Sequence, residues 1–502
     1  MRARGLATDS RLAEMALRAA MALLPCAVLV RHLPAVLGER PLSWAVPLGI
    51  AFANAWLLIS LARDLLSRTT FLAFWTCYGV AWTAVAWHGL HFHGPPRPAA
   101  LLMNLGEISR TPLPDWAEMP WAVLCGAIAL GWMAGRFPAP RPSSRHATFA
   151  AAAVFLSLHG ATFLRYRNAD MLRLSQYGDL VRIHGLEGAA LMDAVVLLRA
   201  PETAGILRDL RLEAAAHPAA PLPLLPVAAD RMVVIQVESL DQEAIARDVA
   251  PTLFHLWSGG THGLVRPLRT SESGSSSADF ELLTGLRPLA GIPAYRLAWD
   301  GDASGLPAYA ASRGFAFHAY HGNDRHFWNR SPFFSAMGAD FDGIEAIPQS
   351  EFSRWGRADG DLFRYGAARI RQTGRAIHFF ITLSTHAPFD LVDPAAHMRG
   401  ATQLERYQRS VAYLDAALGG FLGALPREGP TLLAIYGDHS SNLFSSAGAG
   451  EPPVPLILGR LAADGVLAPL RRSGAPAGPL PEVYELAALH RYLKECLDAS
   501  AH

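Results

Sequence analysis

The sequence predicts an α-helical domain with several membrane spans, followed by an α/β domain with a mainly parallel central sheet. Three observations predict this arrangement. Hydrophobic residues make up 51% of the chain and charged residues only 17%. In a typical soluble enzyme, about a quarter of all residues are charged. The first third contains uncharged segments long enough to cross a bilayer. After residue 230, short apolar runs alternate with helical patterns, which is typical of a sheet covered by helices.

The length, charge and cysteine content of the chain limit its function. Its 502 residues allow two or three domains. Basic residues number 44 and acidic residues 43, which gives a net charge of +1. The chain therefore has no bulk positive field for a nucleic acid, and we expect no nucleic-acid partner. None of the four cysteines has a CxxC spacing, so neither a disulfide framework nor a cysteine-based zinc site is predicted.

Five segments in the first 165 residues are candidate membrane spans. Four contain no Asp, Glu, Lys or Arg and are at least as long as the shortest membrane helices, about 17 residues. They are residues 41–62, 69–96, 119–135 and 147–164. The fifth, residues 13–37, contains Arg18 and Arg31, and we interpret it as a first span whose arginines extend to the membrane interfaces. Residues 1–165 are thus predicted to form a transmembrane domain of about five helices.

Arginines in short loops predict the orientation of these spans. If the N-terminus is cytoplasmic, the inside segments carry more arginines than the outside loops. The inside set is Arg2, Arg4, Arg11, Arg63, Arg68, Arg136, Arg141 and Arg145, and the outside set is Arg40, Arg97, Arg110, Arg165 and Arg167. Five spans from an inside start place the rest of the chain outside the cytoplasm. With four spans, if the first segment does not insert, this inference weakens.

Residues 166–229 are predicted to connect the two domains. The pattern over residues 186–210 is that of an amphipathic helix. Residues 214–229 contain four prolines in sixteen positions, which is typical of a linker.

Residues 230–502 are predicted to form the α/β domain. Its five short apolar runs are residues 232–237, 315–320, 377–383, 432–436 and 454–458. Unbroken apolar strands separated by helical segments indicate a parallel sheet buried on both faces. Chemistry in such sheets collects beyond the carboxyl ends of the strands.

Polar side chains follow four of these runs. Glu238 follows the first strand, and His386 and the pair Asp438 and His439 follow later ones. His321, Asn323 and Asp324 follow the run that starts at residue 315. Carboxylate and imidazole groups that meet at one sheet edge are suitable ligands for a divalent metal ion. Taken singly, each could equally be an ordinary loop or cap residue.

The segment 271–286, SESGSSSADFELLTGL, contains a Gly-Ser-Ser-Ser cluster that is predicted to open a helix. A hydroxyl at a helix N-terminus lies where the backbone N–H groups favour a phosphate or an oxyanion. The alternative is a serine-rich N-cap loop, which serine favours for its own reasons.

These motifs together resemble a known family. VIQVESLD, SGSSSADFELLTGL, FWNR, LSTHAPF and YGDHS follow predicted membrane spans in this order. The set is similar to the lipoteichoic-acid-synthase-like branch of the alkaline phosphatase/sulfatase superfamily, over about residues 230–460. The resemblance implies an alkaline-phosphatase/sulfatase-like catalytic domain outside the cytoplasm. It also implies a multi-pass location in the bacterial cytoplasmic membrane, with this domain facing the periplasm or the cell exterior.

The resemblance also implies roles for individual residues. The implied metal ligands are Glu238, Ser275, Asp438 and His439, for one divalent ion: manganese, with magnesium and zinc as alternatives. The implied nucleophile is the hydroxyl of Ser275, and the implied substrate pocket contains Trp328, Asn329, Arg330 and His386. The family commonly has threonine at the nucleophile position, and three adjacent serines keep Ser276 as a second candidate. The formylglycine sulfatases require a Pro and an Arg after the nucleophile; both are missing here, which disfavours sulfate-ester hydrolysis.

The predicted function is metal-dependent transfer of a phosphoglycerol head group from phosphatidylglycerol to a hydroxyl of an envelope glycan or glycolipid. The transfer would pass through a covalent phospho-serine and release diacylglycerol. Arg330 would bind phosphate oxygens by its planar fork, and His386 would transfer protons or bind substrate. Two alternatives remain at this point. One is a phosphoethanolamine transferase or phosphodiesterase on the same scaffold, and the other is a membrane sensor without catalytic activity.

Overall fold

The computed structural model describes two compact units. The described residues are 13–28, 45–92, 120–136, 203–267, 274–288, 301–351, 356–389, 401–444, 452–462, 464–473 and 483–501, with a few shorter pieces between them. The first unit comprises residues 1–103, 113–200 and 446–450. The second comprises residues 104–112, 201–445 and 451–502.

The first unit is helical wherever it is described at length. Residues 13–28 form a helix, and three more follow: α1 (Ala45–Leu65), α2 (Arg68–Phe92) and α3 (Trp121–Ala134). Four of the five predicted spans thus contain a helix, and residues 147–164 lie mostly outside the described residues. Among the residues that the structure describes, one helix is long and apolar enough to cross a membrane, over Leu48–Leu65. The number of spans stays a prediction.

Small residues allow α2 and α3 to approach closely. A Cβ at Gly131 would lie 2.6 Å from Cδ1 of Trp75, and one at Gly79 would lie 2.5 Å from Cβ of Ala127. The indole of Trp75 donates a hydrogen bond of 2.6 Å to the carbonyl oxygen of Ala127. Larger residues at these glycines would force the two helices apart.

Ion pairs neutralise Arg18, the residue that makes the first predicted span unusual. The guanidinium of Arg18 lies 3.2 Å from Glu14 and 3.1 Å from Asp64 of α1, and Arg63 lies 3.3 Å from Glu14. The structure pairs Arg18 with acidic residues on its own helix and on a neighbouring one. That the arginines of this segment extend to the membrane interfaces stays a prediction.

The first helix that the structure describes in the second unit is α4 (Thr203–Ala216). It overlaps the end of the helix predicted over residues 186–210, most of which lies outside the described residues, and it continues into the proline-rich segment. The remainder of that segment packs against the unit, because Leu222 and Leu224 are buried and Leu224 forms an antiparallel bridge with Arg472.

A mainly parallel sheet forms the centre of the second unit. Its described strands are β1 (Arg231–Val237), β2 (Thr261–Arg266), β3 (Ala316–His321), β4 (Asp340–Asp342), β5 (Ala376–Ile381), β6 (Thr431–Gly437), β7 (Val454–Leu461), β8 (Leu467–Ala468) and β9 (Val483–Glu485). Their order is β4-β3-β5-β1-β6-β7-β2-β9, with β8 beside β7. The five predicted strands are confirmed as β1, β3, β5, β6 and β7. However, β7 runs antiparallel to both β6 and β2.

Helices cover both faces of this sheet. They are α5 (Pro251–Gly259), α6 (Gly274–Thr284), α7 (Leu306–Ser312), α8 (Arg330–Ala336), α9 (Asp359–Ile370), α10 (Gln403–Ala424) and α11 (Leu486–Ser500). Successive strand residues point to opposite faces, and β5 illustrates this alternation. Phe379 packs against Phe334 of α8 at 6.4 Å between ring centroids, whereas Phe380 packs against Phe421 of α10 at 5.0 Å. Burial on both faces explains why these strands are apolar throughout.

Candidate metal centre and active site

The register of the central strands brings the candidate metal ligands together. Strand β1 lies between β5 and β6 and runs parallel to both. Val237 pairs with Gly437 at the carboxyl ends of β1 and β6. Glu238 and Asp438, the next residues along each strand, therefore leave the sheet side by side.

Glu238, Asp438 and His439 form a candidate metal centre. Each offers a ligand atom, and these atoms all lie within 4.8 Å of one another. The Nε2 atom of His439 is 3.2 Å from Oε1 of Glu238 and 3.8 Å from Oδ1 of Asp438. Within the described part of the chain, no other group of three His, Cys, Asp or Glu residues converges in this way.

Neighbouring groups fix the two carboxylates. Glu238 Oε1 accepts a hydrogen bond of 2.8 Å from the hydroxyl of Ser239, and Asp438 Oδ1 accepts one of 2.8 Å from the Ser239 backbone N–H. The backbone N–H of Glu238 donates to Thr382 at 3.0 Å. One residue thus holds both carboxylates, which limits their relative movement.

The electrostatics of the centre suit a cation. Burial and the neighbouring charge of Glu238 raise the pKa of Asp438. Burial acts in the same direction on Glu238, but His386 and His439 outweigh it and hold the pKa of Glu238 well below its usual range. Asp438 Oδ2 is buried and accepts no hydrogen bond from the described residues. Two carboxylates, one with an unsatisfied oxygen, and an imidazole fit a divalent metal ion.

Ser275 lies directly against this centre. Helix α6 opens at the predicted Gly-Ser-Ser-Ser cluster, and the hydroxyl of Ser275 donates a hydrogen bond of 2.9 Å to Oε2 of Glu238. Ser275 is partly exposed, whereas Ser276 and Ser277 have no exposed surface. Of the three serines, Ser275 is the one that both contacts the candidate centre and is open to solvent.

Gly274 is a site residue that the sequence analysis missed. A Cβ at this position would lie 2.7 Å from Cγ of His439 and closer still to Cδ2. Real Cβ atoms are not found this close to a ring, so any side chain at residue 274 displaces the imidazole. The only sequence signal was a glycine at the start of a helix, which is not specific to this role.

We expect Gly274→Ala to lower the affinity for a divalent metal by about tenfold or more, since displaced ligands and their supports cost about this much. Titration of the purified full chain with Mn²⁺ by calorimetry measures the affinity. Gly420→Ala in α10 is the matched control because no atom lies within 4 Å of a Cβ at that position. Equal metal affinity in the Gly274 variant and the wild type would contradict the expected collision.

Arg330 lies close to the candidate metal centre. Arg330 is buried at the start of α8, and its Nε lies 3.8 Å from Asp279 of α6 and 3.3 Å from the hydroxyl of Tyr295. Burial lowers the pKa of Arg330, while Asp279, Glu238 and Asp438 oppose this effect. Its guanidinium therefore lies within the field of the candidate metal ligands.

Asn329 and Trp328 precede Arg330 in a 3-10 turn, Phe327–Asn329. The amide of Asn329 donates a hydrogen bond of 2.6 Å to the carbonyl oxygen of Tyr295. Its backbone adopts a left-handed conformation with φ of 65°, which asparagine tolerates better than most residues. Asn329 therefore fixes the backbone conformation directly before Arg330. The side chain of Trp328 lies outside the described atoms.

The ionisation of Asp279 makes the stability of the folded protein depend on pH. Burial raises the pKa of Asp279 to about 7, although Arg330 opposes the shift. Its usual pKa is about 3.9, so between about pH 4 and pH 7 the native state binds more protons than the unfolded state. The free energy of unfolding therefore falls as the pH rises through this window.

Asp279→Asn removes this titration, so we expect the variant to gain thermal stability relative to the wild type as the pH rises from 5 to 8. Unfolding midpoints of both metal-free proteins across this range measure the difference. A difference that does not change with pH would contradict a raised pKa of Asp279.

Two histidines lie at the ends of neighbouring strands. His386 is partly exposed in the turn after β5, and its Nδ1 lies 2.6 Å from the carbonyl oxygen of Ala387. A positive charge on His386 would lower the pKa of Glu238, so this imidazole lies close enough to the centre to act on it. Asp359 fixes this turn by accepting hydrogen bonds from the backbone N–H groups of Leu383 and Ser384, at 2.8 and 2.9 Å.

His321, at the end of β3, is the second histidine. The sequence placed it at a strand end, but without a role. Its Nδ1 lies 2.9 Å from the carbonyl oxygen of Ile381, so a neutral ring has its proton on Nδ1 and can accept at Nε2. Burial and the nearby Arg330 lower its pKa, which favours the neutral form. Asn323 and Asp324, by contrast, hydrogen-bond within their own loop.

Known proteins resemble the part of the chain that contains this site. Residues 232–460 match the Sulfatase family model. The chain is 28% identical over 182 residues to lipoteichoic acid synthase 2 of Bacillus subtilis (strain 168), covering 34% of this chain and 28% of the relative. It is 26% identical over 216 residues to lipoteichoic acid synthase 1 of the same organism, covering 40% and 34%. The chain thus spans about a third or less of the length of these relatives.

A solved structure supports the fold. The integral membrane protein lipooligosaccharide phosphoethanolamine transferase A from Neisseria meningitidis superposes with a TM-score of 0.51 at 14% identity, covering 88% of each chain. At this identity the likeness shows a shared fold. The matched domain and the curated relatives make residues 232–460 similar to the lipoteichoic-acid-synthase-like branch of the alkaline phosphatase/sulfatase superfamily, and this structure shares the fold.

Proposed function

We propose that the chain is a metal-dependent transferase that moves a phosphoglycerol head group from phosphatidylglycerol to a hydroxyl of an envelope glycan or glycolipid. The observation that carries this proposal is the contact between the Ser275 hydroxyl and Glu238, at 2.9 Å, inside the candidate metal centre. A nucleophile and a cation site so close together are the parts that phosphoryl transfer requires. The matches to two lipoteichoic acid synthases support the phosphoglycerol head group.

The proposed reaction has two displacements at phosphorus. In the first, the Ser275 hydroxyl gives its proton to His386 or water, Oγ bonds to the phosphorus of the lipid, and the bond to the diacylglycerol oxygen breaks. Diacylglycerol leaves as the alcohol, taking a proton that His386 or water supplies. In the second, the acceptor hydroxyl bonds to the phosphorus, the bond to Ser275 Oγ breaks, and the serine regains a proton. The head group is transferred without net oxidation or hydrolysis.

Glu238, Asp438 and His439, with the Ser275 hydroxyl, are the residues that would hold the divalent ion. When bound, such an ion neutralises charge on the phosphoryl group and lowers the pKa of a nearby hydroxyl. We propose manganese, with magnesium and zinc as alternatives, since carboxylate, imidazole and hydroxyl ligands suit all three.

The remaining site residues would recognise the substrate. Arg330 is a buried cation whose neighbours Asp279 and Tyr295 hold it in place, so its fork can bind phosphate oxygens with little loss of entropy. His321 Nε2 and His386 offer positions for a hydroxyl of the head group or of the acceptor. Trp328 would contribute an apolar wall, and Asn329 would fix the backbone between Tyr295 and Arg330.

The predicted membrane location fits a lipid donor. We propose that the helical unit spans the cytoplasmic membrane several times and that the catalytic unit faces the periplasm or the exterior. A catalytic unit tethered to the membrane experiences a high effective concentration of lipid head groups. A topology map with reporters fused after residues 40, 66, 100, 140 and 165 tests this arrangement. A reporter after residue 165 that is active only in the cytoplasm would contradict it.

The lipid specificity test uses the purified full chain in vesicles that contain both phosphatidylglycerol and phosphatidylethanolamine, with Mn²⁺. We expect diacylglycerol release with selective consumption of phosphatidylglycerol. Selective consumption of phosphatidylethanolamine would support a phosphoethanolamine transferase, and release of free head group in the presence of acceptor glycans would support a phosphodiesterase. No release with any of the three metals, together with no metal binding, would support a membrane sensor without activity.

A further inference from the structure

Asp241 joins the two loops that carry the candidate metal ligands. It lies in the loop after β1, three residues beyond Glu238. Its carboxylate accepts hydrogen bonds from the hydroxyls of Ser440 and Ser441, in the loop after β6. It also accepts a bond of 3.2 Å from the backbone N–H of Ser441. The two serines directly follow the ligand pair Asp438 and His439.

Tyr407 of helix α10 holds the loop after β1 in place. The hydroxyl of Tyr407 donates a hydrogen bond of 2.8 Å to the carbonyl oxygen of Ser239 and accepts one of 3.0 Å from the backbone N–H of Asp241. Tyr407 is fully buried, and Asp241 is nearly so. The loop after β1 is therefore attached to a rigid helix on one side, and through Asp241 to the loop after β6 on the other.

The bonds between Asp241 and the two serines, here called the Asp241 junction, matter because the candidate metal ligands come from two separate loops. Beyond the paired ends of β1 and β6, the sheet no longer sets the distance between Glu238 and the pair Asp438 and His439. One further bond, from the Ser239 N–H to Asp438, crosses the gap beside the ligands. The three bonds of Asp241 join the two loops again at Ser440 and Ser441, directly after the ligand pair, so the loop after β6 is attached both at Asp438 and just beyond His439.

A carboxylate is the group that this junction requires. Asp241 accepts three hydrogen bonds through two oxygens. An asparagine has one acceptor oxygen, and its amide would place N–H groups against donors. Hydrogen bonds to a buried charged acceptor are also stronger than those to a neutral one.

We propose that Asp241 is a positioning residue for the metal centre, and that it holds the two loops at the separation that lets Glu238, Asp438 and His439 bind one ion. The inference rests on the proposed function, since it concerns the metal that this function uses. The three hydrogen bonds of the Asp241 carboxylate go to Ser440 and Ser441 and not to a candidate metal ligand. Groups that orient metal ligands from behind typically change metal affinity about 10- to 100-fold when replaced.

The test compares Mn²⁺ affinity in the full-length wild type, Asp241→Asn and Ser441→Ala, by calorimetry in detergent. We expect a dissociation constant about 10 to 100 times higher for Asp241→Asn, and a smaller increase for Ser441→Ala, which removes one bond. Asp415→Asn is the matched control. It changes another buried carboxylate, which accepts backbone bonds of 3.0 and 2.7 Å from Thr252 and Leu253 at the start of α5.

A positioning role and a general loss of stability predict different results. If Asp241 positions ligands, its variant needs more Mn²⁺ for half-maximal activity but approaches the wild-type kcat when metal is saturating. If it only stabilises the fold, the Asp241 and Asp415 variants lose thermal stability alike and keep wild-type metal affinity, which would overturn the inference. Should Asp241→Asn fail to fold, Ser441→Ala decides by the same comparison. A wild type that binds no Mn²⁺ would refute the proposed function itself.

Discussion

Ser275→Ala is expected to lower the rate of diacylglycerol release from phosphatidylglycerol by about four to six orders of magnitude, the loss seen when a covalent nucleophile is removed. The physical reason is that no other hydroxyl replaces it. Ser275 Oγ lies 2.9 Å from Glu238, whereas the side chains of Ser276 and Ser277 are fully buried in α6. The measurement is diacylglycerol released per enzyme in phosphatidylglycerol vesicles with saturating Mn²⁺.

Ser276→Ala is the matched control for this prediction, because it removes the same group one residue away. We expect it to retain activity within about tenfold of the wild type, the change reflecting altered packing in the helix. Metal affinity in the Ser275 variant should fall far less than its activity. If Ser276→Ala abolishes release and Ser275→Ala does not, the nucleophile has been assigned to the wrong serine.

Asp438→Asn is expected to abolish metal binding and activity, and at the same time to stabilise the metal-free protein. Removing a direct ligand should weaken the affinity by more than the roughly 100-fold that supporting residues cost. Burial and Glu238 raise the pKa of Asp438, so its ionised form disfavours the folded state. An asparagine cannot ionise, and the variant avoids this repulsion.

The sign of the stability effect follows from the direction of the pKa shift. An acid whose pKa is raised on folding makes the native state less stable as the pH rises above its unfolded pKa, near 3.9. The stability gained by Asp438→Asn should therefore be largest at pH 8 and shrink towards pH 4. Mn²⁺ should raise the unfolding midpoint of the wild type but not that of the variant. A variant that is still stabilised by Mn²⁺ would contradict the ligand role of Asp438.

The sequence predicted the core of the second unit because the signal there is local. Apolar runs such as residues 232–237 and 432–436 became the buried strands β1 and β6. Residues directly after parallel strands must emerge at one edge, so the proximity of Glu238 and Asp438 follows from their positions alone. The strands β2, β4, β8 and β9 were missed. Strands β4, β8 and β9 have only two or three residues, and β2 (Thr261–Arg266) mixes polar and apolar residues, so none of them forms an apolar run.

The supporting residues could not be predicted in this way. Gly274 is required by its approach to His439, and Asp241 by its bonds to Ser440 and Ser441. These contacts join positions about 165 and 200 residues apart in sequence, and nothing local distinguishes a glycine or an aspartate with such a partner. His321 was placed at a strand end, but its neutral form depends on burial, on the nearby charge of Arg330 and on its contact with the carbonyl oxygen of Ile381.

In the first unit, the sequence predicted the helices but not the ion pairs between them. Uncharged segments predicted helices that the structure describes over Ala45–Leu65, Arg68–Phe92 and Trp121–Ala134. Whether a helix crosses a membrane depends on its length and apolarity against the bilayer, and Leu48–Leu65 meets both conditions. The charge of Arg18 made the first segment an ambiguous membrane span. Glu14 and Asp64 balance this charge, which composition alone does not reveal.

The most direct test of the proposed function is the mass of the peptide that contains Ser275 after the full chain reacts with phosphatidylglycerol vesicles and Mn²⁺ and is quenched in acid. The proposal predicts that this peptide gains one glycerophosphoryl group on Ser275 and that the group disappears when an acceptor glycan is added before quenching. An unmodified Ser275 peptide under conditions where diacylglycerol is released would show that the reaction does not pass through this serine, and would contradict the proposed mechanism.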